Sequence, residues 1–182
     1  MRRQLRAFYT PDQLRQVYAH AYDHTRWPDH IERVTRTTAM LDALAARTAA
    51  RTVADLSCGD GAIVGQSRHP WQARHLGDYV TTGPIETALD SLPPVDVFVL
   101  SETLEHVEDP DRLLAHIRER ARHLLLTTPH GEMDDSNPEH YWGWEADDLR
   151  PMLHAAGWKD CQVELFTPES VVYYTFQMWT CS

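Results

Sequence analysis

Cysteine is scarce in this chain of 182 residues. Cys58, Cys161 and Cys181 are the three, and no two of them stand in a CxxC or other metal-binding spacing. The odd count argues against a disulfide framework and points to a reducing compartment. The first residues lack the apolar stretch of a secretory signal, and no apolar run approaches the ~20 residues that a membrane span requires. A cytoplasmic protein with no membrane partner is therefore expected. Internal repeats and low-complexity stretches are absent too, which excludes repeat arrays and composition-driven disorder.

Positive charge is also in short supply. Seventeen Lys/Arg face 27 Asp/Glu, for a formal net charge of -10. The imbalance is uneven: residues 1–50 carry eight basic and five acidic side chains, and residues 51–182 carry nine against 22, a net of -13. An acidic body repels phosphate backbones, so nucleic acid is a disfavoured partner. The basic start Met1-Arg-Arg-Gln-Leu-Arg6 is too short to reverse this and reads as a solvated terminus.

The remaining composition is that of a globular domain, with six Trp and seven Tyr to fill a core or line a pocket. Thr10-Pro-Asp-Gln13 carries the cap, first-turn proline and capping-box glutamine of a helix start. Leu14, Val17, Tyr18, Ala21 and Tyr22 continue at helical spacing. Trp27-Pro28-Asp29 breaks that helix and opens a second, with Ile31, Val34, Thr38, Leu41 and Ala45 as its buried stripe. Residues 10 to about 48 are thus expected to be helical.

Beyond them the period changes. Short apolar runs at Thr52–Leu56, Ala73–Tyr79, Val95–Leu100, Leu124–Thr128, Cys161–Phe166 and Val171–Trp179 read as strands. A helix opens at Asp109-Pro110, with Leu113, Leu114, Ile117 and Ala121 inward. Another runs from about Glu145 to Ala156, stopping at Gly157, with Pro151 calling for a late start or a kink. Alternating strands and helices predict an α/β fold with a mostly parallel sheet. The last two runs, joined through a turn near Pro168, predict an antiparallel hairpin.

Asp55-Leu-Ser-Cys-Gly-Asp-Gly61 follows the first of these strands. Small residues at 57, 59 and 61 let the backbone turn sharply and pass close to a ligand. A dinucleotide fingerprint would read G-x-G-x-x-G, whereas this loop offers S-x-G-x-G. Asp78 follows 23 residues after Asp55, near the ~20-residue offset of a ribose-binding acid, with Tyr79 beside it for an adenine face.

The loop resembles the first motif of class I methyltransferases that use S-adenosylmethionine (SAM), with Ser57 in place of a glycine. The resemblance implies a Rossmann-like fold. Residues 1–50 would be a helical extension capping the cleft, and residues 51–182 the SAM-binding domain. It implies SAM contacts from Asp55, Ser57, Cys58, Gly59, Asp60, Gly61, Asp78, Tyr79 and Ser101.

Leu100-Ser-Glu-Thr-Leu-Glu-His-Val-Glu-Asp-Pro110 places Glu102, Glu105 and His106 on one side of a turn at the carboxyl end of a central strand. Asn137-Pro-Glu-His-Tyr-Trp142 brings His140 to the same rim. With Thr127-Thr-Pro129 and His140-Tyr-Trp-Gly-Trp144, this pattern is similar to the ubiquinone-biosynthesis O-methyltransferases. It is also similar to the enzymes that 2′-O-methylate small-RNA 3′ ends. The second resemblance implies a divalent ion, Mg2+ or Mn2+, on Glu102, Glu105, His106 and His140. A cation held there would make an acceptor hydroxyl more acidic. Without one, His140 or His130 is the candidate general base.

Phe8, Tyr9, Tyr18, Tyr22 and Trp27 from the extension, and Tyr141, Trp142 and Trp144 from the later loop, are expected either to line the acceptor pocket or to fill core. The acidic stretch Glu132-Met-Asp-Asp-Ser-Asn-Pro-Glu139 would repel an anionic substrate. Methyl transfer to a hydroxyl or amine of a small molecule is the expected activity. An RNA methyltransferase and a non-catalytic SAM-fold binding protein stay open, as does the oligomeric state.

Overall fold

A computed structural model describes residues 2–20, 22–131, 137–171 and 174–182. The N-terminal part holds β1 (Arg3–Gln4), α1 (Pro11–Val17) and α2 (Pro28–Thr48). The middle holds β2 (Thr52–Asp55), α3 (Ala62–Gln66), β3 (Ala73–Leu76), α4 (Tyr79–Thr82), α5 (Ile85–Ser91) and β4 (Val95–Ser101). Then come α6 (Pro110–Arg120), β5 (Ala121–Pro129), β6 (Trp142–Gly143), α7 (Ala146–Ala155), β7 (Gln162–Phe166) and β8 (Phe176–Cys181).

Six strands form one sheet in the order β3-β2-β4-β5-β8-β7. Strands β3, β2, β4 and β5 run parallel, and β8 enters antiparallel between β5 and β7. The central strands are buried on both faces, so alternate side chains feed two separate cores. Phe98, Leu100, Leu124 and Leu126 pack with Leu89, Leu113, Leu114 and Trp158 on one face. Val97, Val99 and Leu125 pack with Val34, Leu41, Leu44 and Val64 on the other. The first face is covered by α5, α6 and α7, the second by α2 and α3. No helix among the described residues is long and apolar enough to cross a membrane.

Local chemistry explains most element ends. Thr10 and Gln13 form the expected capping box, and Asp109 accepts from the Arg112 amide ahead of Pro110. Several expectations are corrected. The first helix stops at Val17 and none of its residues is buried, because it lies across the cleft and has no sheet face to pack on. Of its expected stripe, Ala21 lies outside the described residues. Ile31 is exposed, while Arg33 and Thr37 join Val34, Thr38, Leu41 and Ala45 on the buried side of α2. Ala121 begins β5 with no intervening loop. Helix α7 runs through Pro151, which gives up one backbone hydrogen bond.

The second strand ends at Leu76, so Asp78 and Tyr79 sit on the turn after it and at the start of α4. Between β3 and β4 the chain forms two short helices and no strand, leaving β3 as the sheet edge. The last strand begins at Phe176; part of the expected Val171–Trp179 run, residues 172–173, lies outside the described residues.

Candidate active site at the carboxyl ends of the strands

One cleft of about 1010 Å³ opens at the carboxyl ends of β2 and β4. Its near side is the loop after β2. Gly59 and Gly61 have φ of +53° and +73°, the left-handed region that only glycine enters cheaply. A Cβ on Gly59 would stand 3.0 Å from Tyr22 Cβ, so the bareness of this position admits the N-terminal segment as well as a ligand. The loop is held by Cys58 N–H donating to Gly77 O (2.9 Å) and Ser57 N–H donating to Asp55 Oδ1 (3.2 Å). Ser57 Oγ is buried with no hydrogen-bond partner among the described residues. Burial pushes the Asp55 carboxyl up to about 7, against hydrogen bonding from Ser57 and the charge of Arg33.

Residues 22–34 close over this loop. The His24 amide and ring Nδ1 both reach Asp60 Oδ2, at 2.9 and 2.5 Å. Asp60 is therefore engaged by the extension. Arg33, 3 % exposed, donates to Ser101 Oγ (2.7 Å) and Tyr22 Oη (3.4 Å), while its Nε has no partner among the described residues. Sequence reasoning missed Arg33. The available signal was a lone arginine beside Val34 and Thr37 on the buried face of an amphipathic helix. Asp78 lines the cleft and caps α4, both of its bonds from Thr81 falling on Oδ1. Tyr79 also lines it, its ring 5.2 Å from that of Tyr18.

Across the cleft the Leu104–His106 turn and the segment before β6 converge. Ligand atoms of Glu105, His106 and His140 all lie within 4.8 Å of one another. The rings of His106 and His140 meet edge-to-face at 4.7 Å. Glu105 is 1 % exposed; Thr128 Oγ1 donates to its Oε2 (2.9 Å), while Oε1 has no hydrogen-bond partner among the described residues and stands 3.8 Å from His106 Nε2. Burial, with Glu102 nearby, raises the Glu105 carboxyl well above the ordinary range. Burial, reinforced by His140, pushes His106 down to about 3, so its imidazole is neutral. The Asn137 side chain accepts from the Glu139 amide through Oδ1, which turns its NH2 toward His140 Nε2 at 3.0 Å.

Glu102 stands outside that group. Its φ is +49°, and its Oε1 accepts from Thr127 Oγ1 at 2.9 Å. Burial raises its carboxyl and the charge of Arg33 opposes the rise. The described donors thus bring together three of the four residues expected at a cation. His130 does not line the cleft: its amide donates to Thr175 O, and the chain turns there toward Trp144.

The aromatic residues divide. Tyr18, Tyr22, Trp27, Tyr141 and Tyr174 line the cleft. Trp144 is core, its Nε1 donating to Thr128 Oγ1 at 3.1 Å. Trp142 and Phe8 pack against each other beside Tyr141, and Tyr9 also meets Tyr141. Of the acidic stretch, residues 132–136 lie outside the described residues, and Glu139 lines the cleft.

No family model matches this chain, and no curated protein matches it by sequence. Its fold is the Rossmann-like fold of SAM-dependent methyltransferases. It is similar to the Burkholderia thailandensis 1,6-didemethyltoxoflavin-N1-methyltransferase, at 14 % identity over 100 % of this chain and 94 % of that one, with a TM-score of 0.68. It is similar to the [4+2]-cyclase SpnF, at 14 % identity over 98 % and 97 % of the two chains, TM-score 0.66. The small RNA methyltransferase HEN1 is a third, at 17 % identity over 88 % of this chain but 26 % of that one, TM-score 0.58.

Proposed function

We propose that this protein is a SAM-dependent methyltransferase that moves a methyl group to a hydroxyl or amine of a small molecule. The observation that carries this reading is the shared cleft: the Asp55–Gly61 loop forms one side and the Glu105, His106 and His140 cluster the other. One of the fold's neighbours is a cyclase, so fold alone does not select the reaction, and the residues must.

The charges in the cleft complement the donor. Asp55 ionises against the amino group of the methionine moiety. Arg33, the buried guanidinium with an unpartnered Nε, receives the methionine carboxylate. Ser57 Oγ supplies a hydrogen bond at the bare loop, and Asp78, with Oδ1 engaged, offers Oδ2 to a ribose hydroxyl. Tyr79 faces the adenine. Residues 1–50 act as a cap, and Ser101 and Glu102 mark where donor and acceptor meet.

The acceptor lies between Trp27 and the His106–His140 pair. Without a cation, His140 takes its proton as general base. A divalent cation fits Glu105, His106 and His140, because Glu105 Oε1 is buried without a partner beside two imidazoles. When bound, it makes an acceptor hydroxyl more acidic and holds it in line. Two nitrogen donors and one carboxylate favour Mn2+ over Mg2+, which prefers oxygen. The net charge of -13 over residues 51–182 supports a small-molecule acceptor over RNA.

Calorimetric titration with SAM tests the reading. Saturable binding is expected, and no heat at millimolar SAM would rule out the methyltransferase reading.

A further inference from the structure

Two of the three cysteines, distant in sequence and outside the cleft, meet across the last hairpin. Strands β7 and β8 pair with Gln162 opposite Thr180, which places Cys161 opposite Cys181 one step along the ladder. On the outer side Lys159 and Ser182 exchange both backbone hydrogen bonds, at 2.6 and 3.0 Å, with Asp160 as the extra residue at φ +45°. The pair is therefore held on both sides. Residues opposite each other in an antiparallel ladder have Cα atoms ~4.5–5.5 Å apart, inside the ~4.4–6.8 Å that a disulfide spans. Neither cysteine is in a disulfide, and the Cys161 thiol donates to Lys159 O at 3.5 Å.

We propose that Cys161 and Cys181 are an oxidisable dithiol, converted by a hydroperoxide into an intramolecular disulfide and restored by a dithiol reductant. Their surroundings assign the roles. Arg150 donates to Cys161 O at 2.8 Å and lies over the Trp179 ring, bringing a fixed positive charge to the site. The neighbouring Cys181, with help from Arg150, holds the Cys161 thiol below its ordinary value, whereas the neighbouring Cys161 and burial push Cys181 up. A thiolate is the reacting form, so Cys161 attacks first. Its sulfur takes one peroxide oxygen, becoming a sulfenic acid and releasing water. The Cys181 sulfur then displaces the hydroxyl, its own proton leaving with that oxygen as a second water. Two thiols are oxidised and one peroxide is reduced. Cys161 and Cys181 are 8 % and 2 % exposed, so the reaction needs local opening, which the Asp160 bulge at the ladder end favours.

The pair lies away from the cleft: Cys181 faces Leu124, three ladder positions before the Thr127 that bonds Glu102. The experiment therefore needs no methyl acceptor. The folded protein is treated with hydrogen peroxide, quenched, unfolded, alkylated and mapped by mass spectrometry. The expected result is a fall from three alkylatable thiols to one, Cys58, with a peptide linking Cys161 to Cys181 that dithiothreitol separates. C161S and C181S should each abolish the link. Three surviving thiols, overoxidation of Cys161 without a link, or a disulfide containing Cys58 would overturn the proposal. The wild-type map decides even if either variant fails to fold.

Discussion

Glu105 Oε1 stands 3.8 Å from His106 Nε2 with no hydrogen-bond partner among the described residues, in a pocket where the imidazole is neutral. A buried acceptor left alone costs about 1–3 kcal/mol, so the arrangement persists against a penalty that a bound cation would remove.

Glu105→Gln should therefore weaken Mn2+ binding. Replacing one of three charged or imidazole ligands is expected to cost roughly tenfold or more in affinity, about 1.4 kcal/mol. Water-proton relaxation of Mn2+ titrated into wild type and variant measures it. Equal dissociation constants would remove the cation from the site.

Asp55 makes stability depend on pH with a defined sign. Its folded value of about 7 exceeds the ordinary 3.8, so the folded chain binds this proton more tightly than the unfolded one. The contribution is present in full below pH 3.8 and is lost as pH rises to about 7. Three units correspond to at most about 4 kcal/mol. Asp55→Asn should thus be stabilised relative to wild type at pH 8, and the difference should shrink toward pH 4. Urea unfolding across that range reads it. The same variant should bind SAM more weakly, because the ionised partner of the amino group is gone.

Arg33→Met removes the buried guanidinium that bonds Ser101 and Tyr22. A charge-assisted pair with a carboxylate contributes about 1.5–3 kcal/mol, so SAM affinity should fall by about ten- to a hundredfold. Arg33→Lys should not restore it, since an ammonium lacks the planar fork. Calorimetry on both variants is the check, and a lysine variant that binds SAM as tightly as wild type would argue against carboxylate recognition.

Gly59→Ala places a methyl group 3.0 Å from Tyr22 Cβ and forces a side chain into φ +53°. The backbone alone costs about 1–2 kcal/mol. Adding Tyr22→Gly, which removes both the Cβ and the ring, should recover the steric part and leave the backbone part, so the double mutant should lose less stability than the sum of the two single losses. A strictly additive loss would mean that Tyr22 does not press on the loop.

Much of the fold was legible because it rests on short-range chemistry. The Thr10–Gln13 box, the Asp109-Pro110 start, the Val95–Leu100 strand and the bare turn from Asp55 to Gly61 each depend on neighbours a few residues away. Periodicity carried the parallel sheet and the final hairpin for the same reason. It failed at Tyr18 and Ile31, whose spacing imitates a buried stripe although α1 has no sheet beneath it and α2 turns Arg33 inward instead.

What the sequence determined by itself was the set of chemical groups at the strand ends: the Asp55 loop, Asp78, and the carboxylates and imidazoles of 102–106 and 140. Tertiary structure decided which of them meet. The pairing of Ser101 with Thr127 sets Thr127 beside Glu102 and Thr128 beside Glu105, leaving Glu102 apart from the His106–His140 pair. Packing sent Trp144 into the core and Trp27 to the cleft, and turned His130 away. Propensity, caps and period act over a few residues. Contacts such as Arg33 with Ser101, 68 residues apart, exist only once strand register and helix docking have brought the two segments together.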